Sequence, residues 1–187
     1  MLALITAMRE GGVRADPAVV ISNVPGAAGL AVARGLGIET AVVDHTAIRP
    51  REAHERAVLE VLLRERVDIV CLAGYMRRLS PFLVEAFKGR VLNVHPALLP
   101  AFPGLDAQQA ALEHGVKVAG CTVHFVDDQV DHGPIILQAT VPVEEDDTVL
   151  TLSARILEQE HAIYPKALAL LAEGRIEIEG RRVRVRR

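Results

Sequence analysis

The sequence predicts an α/β fold with a mostly parallel β-sheet. Helical and strand patterns alternate along most of the 187 residues. The predicted strands are near-continuous apolar runs, which is typical of strands that helices cover on both faces of a sheet. No repeat or low-complexity linker divides the chain, and its length suffices for one domain with a sizeable core. We therefore expect a single domain over residues 1–187.

Composition excludes several classes of protein. Half of the residues are hydrophobic and 24% are charged, so the chain is globular rather than disordered. A net charge of -3 argues against broad binding to nucleic acid or to an anionic membrane. No segment resembles a membrane span or a signal peptide. Cys71 and Cys121 lie in apolar runs without a C-x-x-C spacing, which favours buried thiols in a reducing cytoplasm over a zinc site or disulfides.

The first half alternates regularly between helix and strand. We predict helices over 1–9, 27–35 and 51–66, and strands over 18–22, 40–44 and 67–73. Gly11 and Gly12 end the first helix, since glycine adopts the left-handed conformation of a helix C-terminus. The third helix has apolar positions at helical spacing with many charges between them. Gly74 ends the third strand.

The second half predicts longer elements. Ser80 followed by Pro81 suits a helix start, and that helix runs to Phe87. The further predicted elements are a strand over 89–94, a helix over 106–114, two strands over 118–126 and 134–143 joined by a polar loop, and an edge strand or hairpin over 175–187. Before that last element we expect a helix from Thr148, kinked or broken before Pro165 and closing at Gly174.

Asn93 and His95 stand at the end of a predicted buried strand, in the stretch Asn-Val-His-Pro. Because they are two residues apart, their side chains point to the same face. An amide can donate to a developing oxyanion, and an imidazole can donate or move a proton. Pro96 and Pro100 stiffen the loop that follows. The alternative is a plain proline-rich turn in which His95 caps a backbone group.

A carboxylate partner for His95 is expected from the loop between the two long strands. Asp131 is the best candidate, because the glycine and proline at 133–134 allow a tight turn just after it. For Asp127 and Asp128, simple solvation in an acidic loop is the favoured interpretation. His124 lies within a strand, and we expect it to support the site from behind.

The candidate residues suggest acyl transfer without a covalent enzyme intermediate. No serine or cysteine lies in a nucleophile setting, so the attacking group would belong to a substrate. The protein would stabilise an oxyanion and move protons. The histidines are scattered without an H-x-x-x-H pair, so we expect no metal.

Four motifs in order resemble the folate-dependent phosphoribosylglycinamide formyltransferase family. They are NVHPALLP at 93–100, PGL at 103–105, VHFV at 123–126 with DHGP at 131–134, and QEHAIYP at 159–165. The resemblance covers nearly the whole chain. It implies a Rossmann-like formyltransferase fold and transfer of a formyl group from 10-formyltetrahydrofolate, a co-substrate, to the amine of glycinamide ribonucleotide in purine synthesis.

The resemblance also implies roles for individual residues. Asn93, His95 and Asp131 match the catalytic residues of the family, and His124 would support them. The matches to folate-binding positions are Arg51, Tyr75, Met76, Arg77, Arg78, Leu79, Asn93, Asp127 and Asp131. The implied ribonucleotide contacts are Gly74, Pro96 and Glu160. For Arg51 and Glu160, an ordinary helix charge remains an alternative, and Arg78 replaces a commonly apolar residue.

The start of the sequence departs from the family pattern. Residues 1–5 resemble the helix that follows the family's first strand and glycine-rich phosphate loop, so both are expected to be lacking in 1–187. We expect a protein of only these residues to fold poorly and to bind the ribonucleotide weakly, because unpaired strand edges and an open core would result.

Other activities stay open. Formyltetrahydrofolate deformylase and methionyl-tRNA formyltransferase share the Asn-x-His motif, although each usually carries a further domain. A folate-binding protein without turnover is another alternative. The oligomeric state also stays open, and a homodimer is one of the options. The arginine-rich tail 181–187 suggests RNA binding, but an edge strand protected by charge is the favoured interpretation, because the tail contains no aromatic residue.

Overall fold

The computed structural model describes residues 1–186, which form helices alternating with strands. The helices are α1 (Leu2–Arg9), α2 (Ala28–Gly35), α3 (Arg51–Arg64), α4 (Pro81–Ala86), α5 (Ala107–Glu113) and α6 (Val149–Ala172). The strands are β1 (Val19–Ser22), β2 (Glu39–Val42), β3 (Val70–Cys71), β4 (Val91–His95), β5 (Val118–Phe125), β6 (Ile135–Pro142), β7 (Ile176–Glu179) and β8 (Arg182–Val185). The predicted α/β class is confirmed, and the last two strands form the hairpin expected at the end of the chain.

The strand pairing is parallel in the first half of the chain and antiparallel in the second. Strands β1 and β2 pair in parallel. A four-stranded sheet has the order β3-β4-β5-β6, in which β3 and β4 are parallel while β5 and β6 are antiparallel to their neighbours. The sheet is therefore mixed rather than parallel throughout. The polar end of β4 lies between β3 and the antiparallel pair that carries the acidic loop.

Helices cover both faces of β4. Leu92 faces a core shared with Leu4 of α1 and Ile156 of α6. Its neighbour Val91 faces the opposite side and packs with Leu62 of α3 and others. Each such side chain contributes about 1.5–3 kcal/mol when it leaves water, so both layers hold β4 in place. The strand that carries Asn93 and His95 is thus fixed from two sides.

Strand β3 is shorter than predicted. The apolar pattern over 67–73 predicts a full strand, but regular pairing covers only Val70 and Cys71, opposite Val91 and Leu92. Among residues 1–186, β4 is the one strand hydrogen-bonded to β3, so a regular ladder forms only where β4 faces it. An apolar run reports burial, and it does not report how many residues have a pairing partner.

Helix α6 is not broken before Pro165. It continues as one helix of 24 residues with the proline inside. Losing one helical hydrogen bond to proline costs about 3 kcal/mol, which burial of the helix's apolar stripe offsets. Tyr164 adds a specific anchor, because its hydroxyl lies 2.9 Å from the Leu72 carbonyl oxygen and 3.0 Å from that of Leu92. The buried residues of the stripe are Leu152, Ile156, Ile163, Tyr164, Ala167 and Leu168.

Both cysteines are unpaired thiols, as the sequence predicts. Burial raises the pKa of Cys71 and of Cys121 to about 12, so both stay protonated at neutral pH. None of the helices within residues 1–186 combines the length and the apolar character that crossing a membrane requires.

An ion pair at the start of α6 predicts a loss of stability in acid. Hydrogen bonds from the Arg155 guanidinium, the Glu144 N–H and the Thr151 hydroxyl hold the pKa of Asp147 well below its usual value. A lowered pKa in the folded state stabilises the fold above the unfolded value of about 3.9, and this stabilisation is lost as the pH falls further. Urea unfolding at several pH values should therefore show Asp147→Asn less stable than wild type at pH 7. The two should converge towards pH 2, and a pH-independent difference would contradict this cause.

Candidate active site

Polar side chains from β4 and β5 meet on one face of the sheet. Asn93 and His95 alternate with core residues along β4, and Asn93 lies directly opposite His124 of β5. The Asn93 amide nitrogen is 3.3 Å from His124 Nε2. Both imidazoles are buried, which removes competing water from their hydrogen bonds. The period-two pattern of the sequence thus places the amide and both rings together.

Asp131 enters this group from the loop between β5 and β6. Its Oδ2 lies 3.3 Å from His95 Nδ1, and its Oδ1 lies 3.7 Å from His124 Nε2. The Gly104 N–H also donates to Oδ2, at 2.8 Å. Asp131 has a positive φ of 49°, an uncommon conformation that turns its carboxylate back over the sheet. The structure therefore brings the three predicted catalytic residues together, with His124 beside them.

Backbone carbonyl groups fix the protonation pattern of the two histidines. His124 Nδ1 is 2.7 Å from the Phe125 oxygen, and a carbonyl only accepts, so Nδ1 carries a hydrogen. His124 Nε2 faces the Asn93 amide nitrogen at 3.3 Å and Asp131 Oδ1 at 3.7 Å. His95 Nε2 is 2.7 Å from the Phe102 oxygen and carries a hydrogen for the same reason. The Nδ1 atom of His95 therefore faces Asp131.

Asp131 is ionised at neutral pH. Burial alone would raise its pKa, but contacts with His124, the Gly104 N–H and His95 lower it by more, so the pKa lies below the ordinary value. An ionised carboxylate beside Nδ1 stabilises a positive charge on His95. The pair can thus hold a proton while a negative charge develops on a neighbouring substrate atom.

Two segments predicted to bind folate are in contact. The Arg78 guanidinium donates to the Asp128 carbonyl, which links the segment 74–79 to the loop 127–131. Arg51 donates to the Arg78 carbonyl and, through Nε, to the buried carboxylate of Glu55 at 3.1 Å. Arg51 therefore supports this segment from α3. Arg78, whose role the sequence leaves open, contacts the loop at Asp128.

Glu55 is a supporting residue that sequence reasoning missed. Its two carboxylate oxygens accept from the N–H and the hydroxyl of Ser80. Ser80 is the residue before α4, as predicted, but its side chain does not cap that helix, since it bonds to Glu55 of α3 instead. A carboxylate among the many charges of α3 gives no sequence signal of being buried.

The predicted pterin-lining residues have different environments. Met76 is 77% exposed, whereas Leu79 is 5% exposed and packs with Leu62, Leu83 and others in the core. Tyr75 and Arg77 are half-buried, so their exposures lie between those of Met76 and Leu79. Burial raises the pKa of Tyr75, so its hydroxyl keeps its proton and can donate. An exposed methionine beside a polar site is available to cover an aromatic ring.

Gly74 and Glu160 line one small cavity of about 120 Å³, together with Met1, Val94 and Tyr164. Burial raises the pKa of Glu160, and the nearby N-terminal ammonium group partly opposes this effect. Pro96, the third predicted ribonucleotide contact, follows His95 directly and lies elsewhere. A larger open groove of about 900 Å³ between α1 and α6 contains none of Asn93, His95 and Asp131. The chemistry therefore points to the β4–β5 face rather than to this groove.

Backbone groups complete the site. The carbonyl of Phe102 and the N–H of Gly104 both contact the His95–Asp131 pair, and both belong to the stretch after the predicted proline-rich turn. Their only sequence signal is the glycine of Pro-Gly-Leu, which permits a tight turn. Within residues 1–186, no group of three or more His, Cys, Asp or Glu side chains is arranged to hold a metal ion.

Comparison with known proteins identifies similar sequences and folds. Residues 1–168 match the family model described as formyl transferase. Phosphoribosylglycinamide formyltransferase of Escherichia coli (strain K12) is 43% identical over 176 residues, which are 94% of this chain and 83% of that protein. A crystal structure of glycinamide ribonucleotide transformylase 1 from Symbiobacterium toebii superposes with a TM-score of 0.97 at 56% identity, over 99% of this chain and 87% of that one.

Longer relatives contain a similar segment. The human trifunctional purine biosynthetic protein adenosine-3 is 48% identical over 176 residues, which are 94% of this chain. The chain spans only 17% of the length of that human protein, and 13% of the length of its Drosophila melanogaster counterpart.

Proposed function

Because the chain belongs to the formyl transferase family, we propose that it is a phosphoribosylglycinamide formyltransferase. The reaction transfers a formyl group from 10-formyltetrahydrofolate to the amine of glycinamide ribonucleotide, a step of purine synthesis. The observation that carries this proposal is the contact of His95 Nδ1 with Asp131 Oδ2, with Asn93 on the same strand face. This arrangement suits an acyl transfer in which the nucleophile comes from a substrate.

Asn93 and His95 would hold the formyl oxygen as its negative charge grows. The Asn93 amide has a second N–H besides the one directed at His124, and that hydrogen can reach a substrate. His95 would donate a hydrogen bond from Nε2 while protonated on both ring nitrogens, and Asp131 would stabilise that imidazolium from the Nδ1 side. Such preorganised donors act strongly in a buried site, because no water has to reorganise.

In the structure the Phe102 carbonyl accepts the hydrogen bond from His95 Nε2. A substrate oxygen would have to replace this carbonyl as the acceptor. Phe102 has a positive φ of 51°, which costs about 1 kcal/mol or more for a bulky residue. A strained carbonyl is easier to displace than one in a regular turn. The same stretch also donates Gly104 N–H to Asp131, so its movement would change the carboxylate's surroundings too.

The proposed reaction is balanced in atoms and protons. The folate supplies the formyl group. A bond forms between the substrate amine and the formyl carbon, and the bond from that carbon to the folate nitrogen breaks. The amine loses a proton and the folate nitrogen gains one, and Asp131 and His95 would be the groups that accept and donate these protons.

The folate would bind where the segment 74–79 meets the loop 127–131. The Arg78–Asp128 contact supports this position, and the exposed Met76 offers an apolar cover for a pterin ring. The proposed folate contacts are Arg51, Tyr75, Met76, Arg77, Arg78, Leu79, Asn93, Asp127 and Asp131. Gly74, Pro96 and Glu160 are the proposed ribonucleotide contacts. A cytoplasmic location is part of this proposal, which the two unpaired cysteines support.

An acceptor-dependence assay tests the proposed function. Purified protein is incubated with 10-formyltetrahydrofolate, with and without glycinamide ribonucleotide, and the formylated ribonucleotide and formate are measured by mass spectrometry. We expect formylated ribonucleotide and no formate above the protein-free blank. Formate release without an acceptor would identify a deformylase. Folate binding by calorimetry without either product would identify a binding protein.

A further inference from the structure

The turn of the C-terminal hairpin contacts the residue that follows Asp131. Arg181, between β7 and β8, extends its guanidinium to His132 in the loop that precedes β6. Its Nη2 donates to the His132 carbonyl oxygen at 2.7 Å, and its Nη1 lies 2.8 Å from the ring atom Nε2. Arg181 therefore contacts both the backbone and the side chain of His132. They join positions 49 residues apart in the chain.

The His132 ring also contacts Asp127, which lies near the start of the same loop. His132 Nδ1 is 2.7 Å from Asp127 Oδ2, and a carboxylate oxygen accepts, so Nδ1 carries a hydrogen. The Arg181 Nη1 atom lies 2.8 Å from Nε2 and 3.2 Å from Nδ1 of the same ring. The other oxygen of Asp127 accepts the Gln129 N–H at 2.9 Å. A continuous chain of hydrogen bonds therefore runs from the hairpin to both ends of the loop that carries Asp131.

Arg181 differs from the other arginines of the hairpin. Arg184 pairs with Glu179 at 2.8 Å, and Arg186 pairs with Glu177 at 3.3 Å, so both bind carboxylates of their own hairpin. These pairs run across the two strands and tie the hairpin to itself. Arg181 instead crosses to the loop beside the candidate active site. The prediction of an edge strand protected by charge thus fits Arg184 and Arg186, whereas Arg181 contacts the loop that carries Asp131.

We propose that Arg181 is a positioning residue for Asp131, acting through His132 and Asp127. The inference rests on the proposed function, in which Asp131 must stay close to His95. Arg181 binds the carbonyl of His132, which is one peptide group beyond those that set the left-handed backbone of Asp131, so it restrains the segment that follows this turn. Arg78 holds the other side of the loop at Asp128. The hairpin and the segment 74–79 together fix the loop from two directions.

The test compares Arg181→Ala with Arg182→Ala, a matched loss of one arginine at the adjacent position of the hairpin. Steady-state kinetics with varied 10-formyltetrahydrofolate should show that kcat/KM for this donor falls about 3- to 10-fold in Arg181→Ala, since exposed hydrogen bonds contribute little individually. The Arg182→Ala variant should stay within about 2-fold of wild type. Arg181→Lys should recover only part of the loss, because one ammonium group cannot reproduce the fork.

A second readout separates positioning from general destabilisation and from failure of the proposed function. Hydrogen exchange of residues 127–133, measured by mass spectrometry, should be faster in Arg181→Ala and unchanged in Arg182→Ala, with equal thermal midpoints for both. In the His132→Ala background, Arg181→Ala should have a smaller effect on both readouts. Unchanged exchange or unchanged kcat/KM in Arg181→Ala would overturn the inference. Faster exchange in Arg181→Ala, combined with a wild-type protein that shows no turnover, would instead reject the proposed function while the loop contact stands.

Discussion

His95→Ala is expected to lower kcat for formyl transfer by about 10²- to 10⁴-fold, the range for loss of a general acid–base group or an oxyanion donor. His95 has two partners in the structure, Asp131 at Nδ1 and the Phe102 carbonyl at Nε2. Alanine removes the donor to the formyl oxygen and also leaves the Asp131 carboxylate without the imidazole that it faces. Single-turnover kinetics at saturating concentrations of both substrates measures the effect on the chemical step.

Two further variants separate the roles of His95. His95→Gln keeps an N–H donor but cannot carry a proton, so we expect an intermediate loss. Asp131→Asn leaves the ring in place and removes the charge that stabilises the imidazolium, so its loss should be large and not additive with that of His95→Ala. Circular dichroism should show a native fold for each variant. A His95→Ala protein with a wild-type rate would exclude the imidazole from the reaction.

Gly133→Ala is expected to destabilise the fold by about 2–4 kcal/mol. A Cβ atom at this position would lie 1.9 Å from the Phe125 carbonyl oxygen and 2.8 Å from its carbon. Both are backbone atoms of β5, so neither can turn aside as a flexible side chain would. The same Phe125 oxygen accepts from His124, and Asp131 is two residues away. The substitution should therefore also lower activity in the protein that remains folded.

Gly35→Ala is the matched control. A Cβ atom at this position meets nothing within 4 Å, and the residue belongs to α2 with helical geometry. Alanine is the better helix former, by about 0.5–1 kcal/mol in a helix interior and by less at Gly35, which ends α2, so this variant should be as stable as wild type or slightly more stable. Urea unfolding followed by circular dichroism gives both values. Equal midpoints for the two variants would show that the close approach at Gly133 relaxes at little cost.

Side-chain patterns predicted the α/β class and brought out Asn93, His95 and Asp131. Alternation placed Asn93 and His95 on one face, and a tight turn singled out Asp131, because periodicity and turn chemistry are local properties. The path of α6 through Pro165 could not be predicted locally, since it depends on Tyr164 reaching the carbonyls of Leu72 and Leu92. Long-range burial outweighed the local preference.

The groups that complete the site lie beyond a sequence pattern. The Phe102 carbonyl and the Gly104 N–H belong to the backbone, which every residue has, so no letter marks them. Arg181 stands among many arginines, and only the packing of the hairpin on the loop distinguishes it. A sequence pattern therefore identifies the side chains that do chemistry more readily than it identifies the groups that hold those side chains in place.

Direct transfer of a labelled formyl group is the decisive measurement. The protein is mixed with ¹³C-formyl donor and glycinamide ribonucleotide, quenched at successive times, and both the ribonucleotide and the intact protein are weighed by mass spectrometry. The label should appear in the ribonucleotide at the rate at which the donor loses it, while the protein mass stays constant throughout. A formylated protein that forms and decays during turnover, or a label that never reaches the amine, would contradict catalysis by Asn93, His95 and Asp131 without a covalent enzyme intermediate.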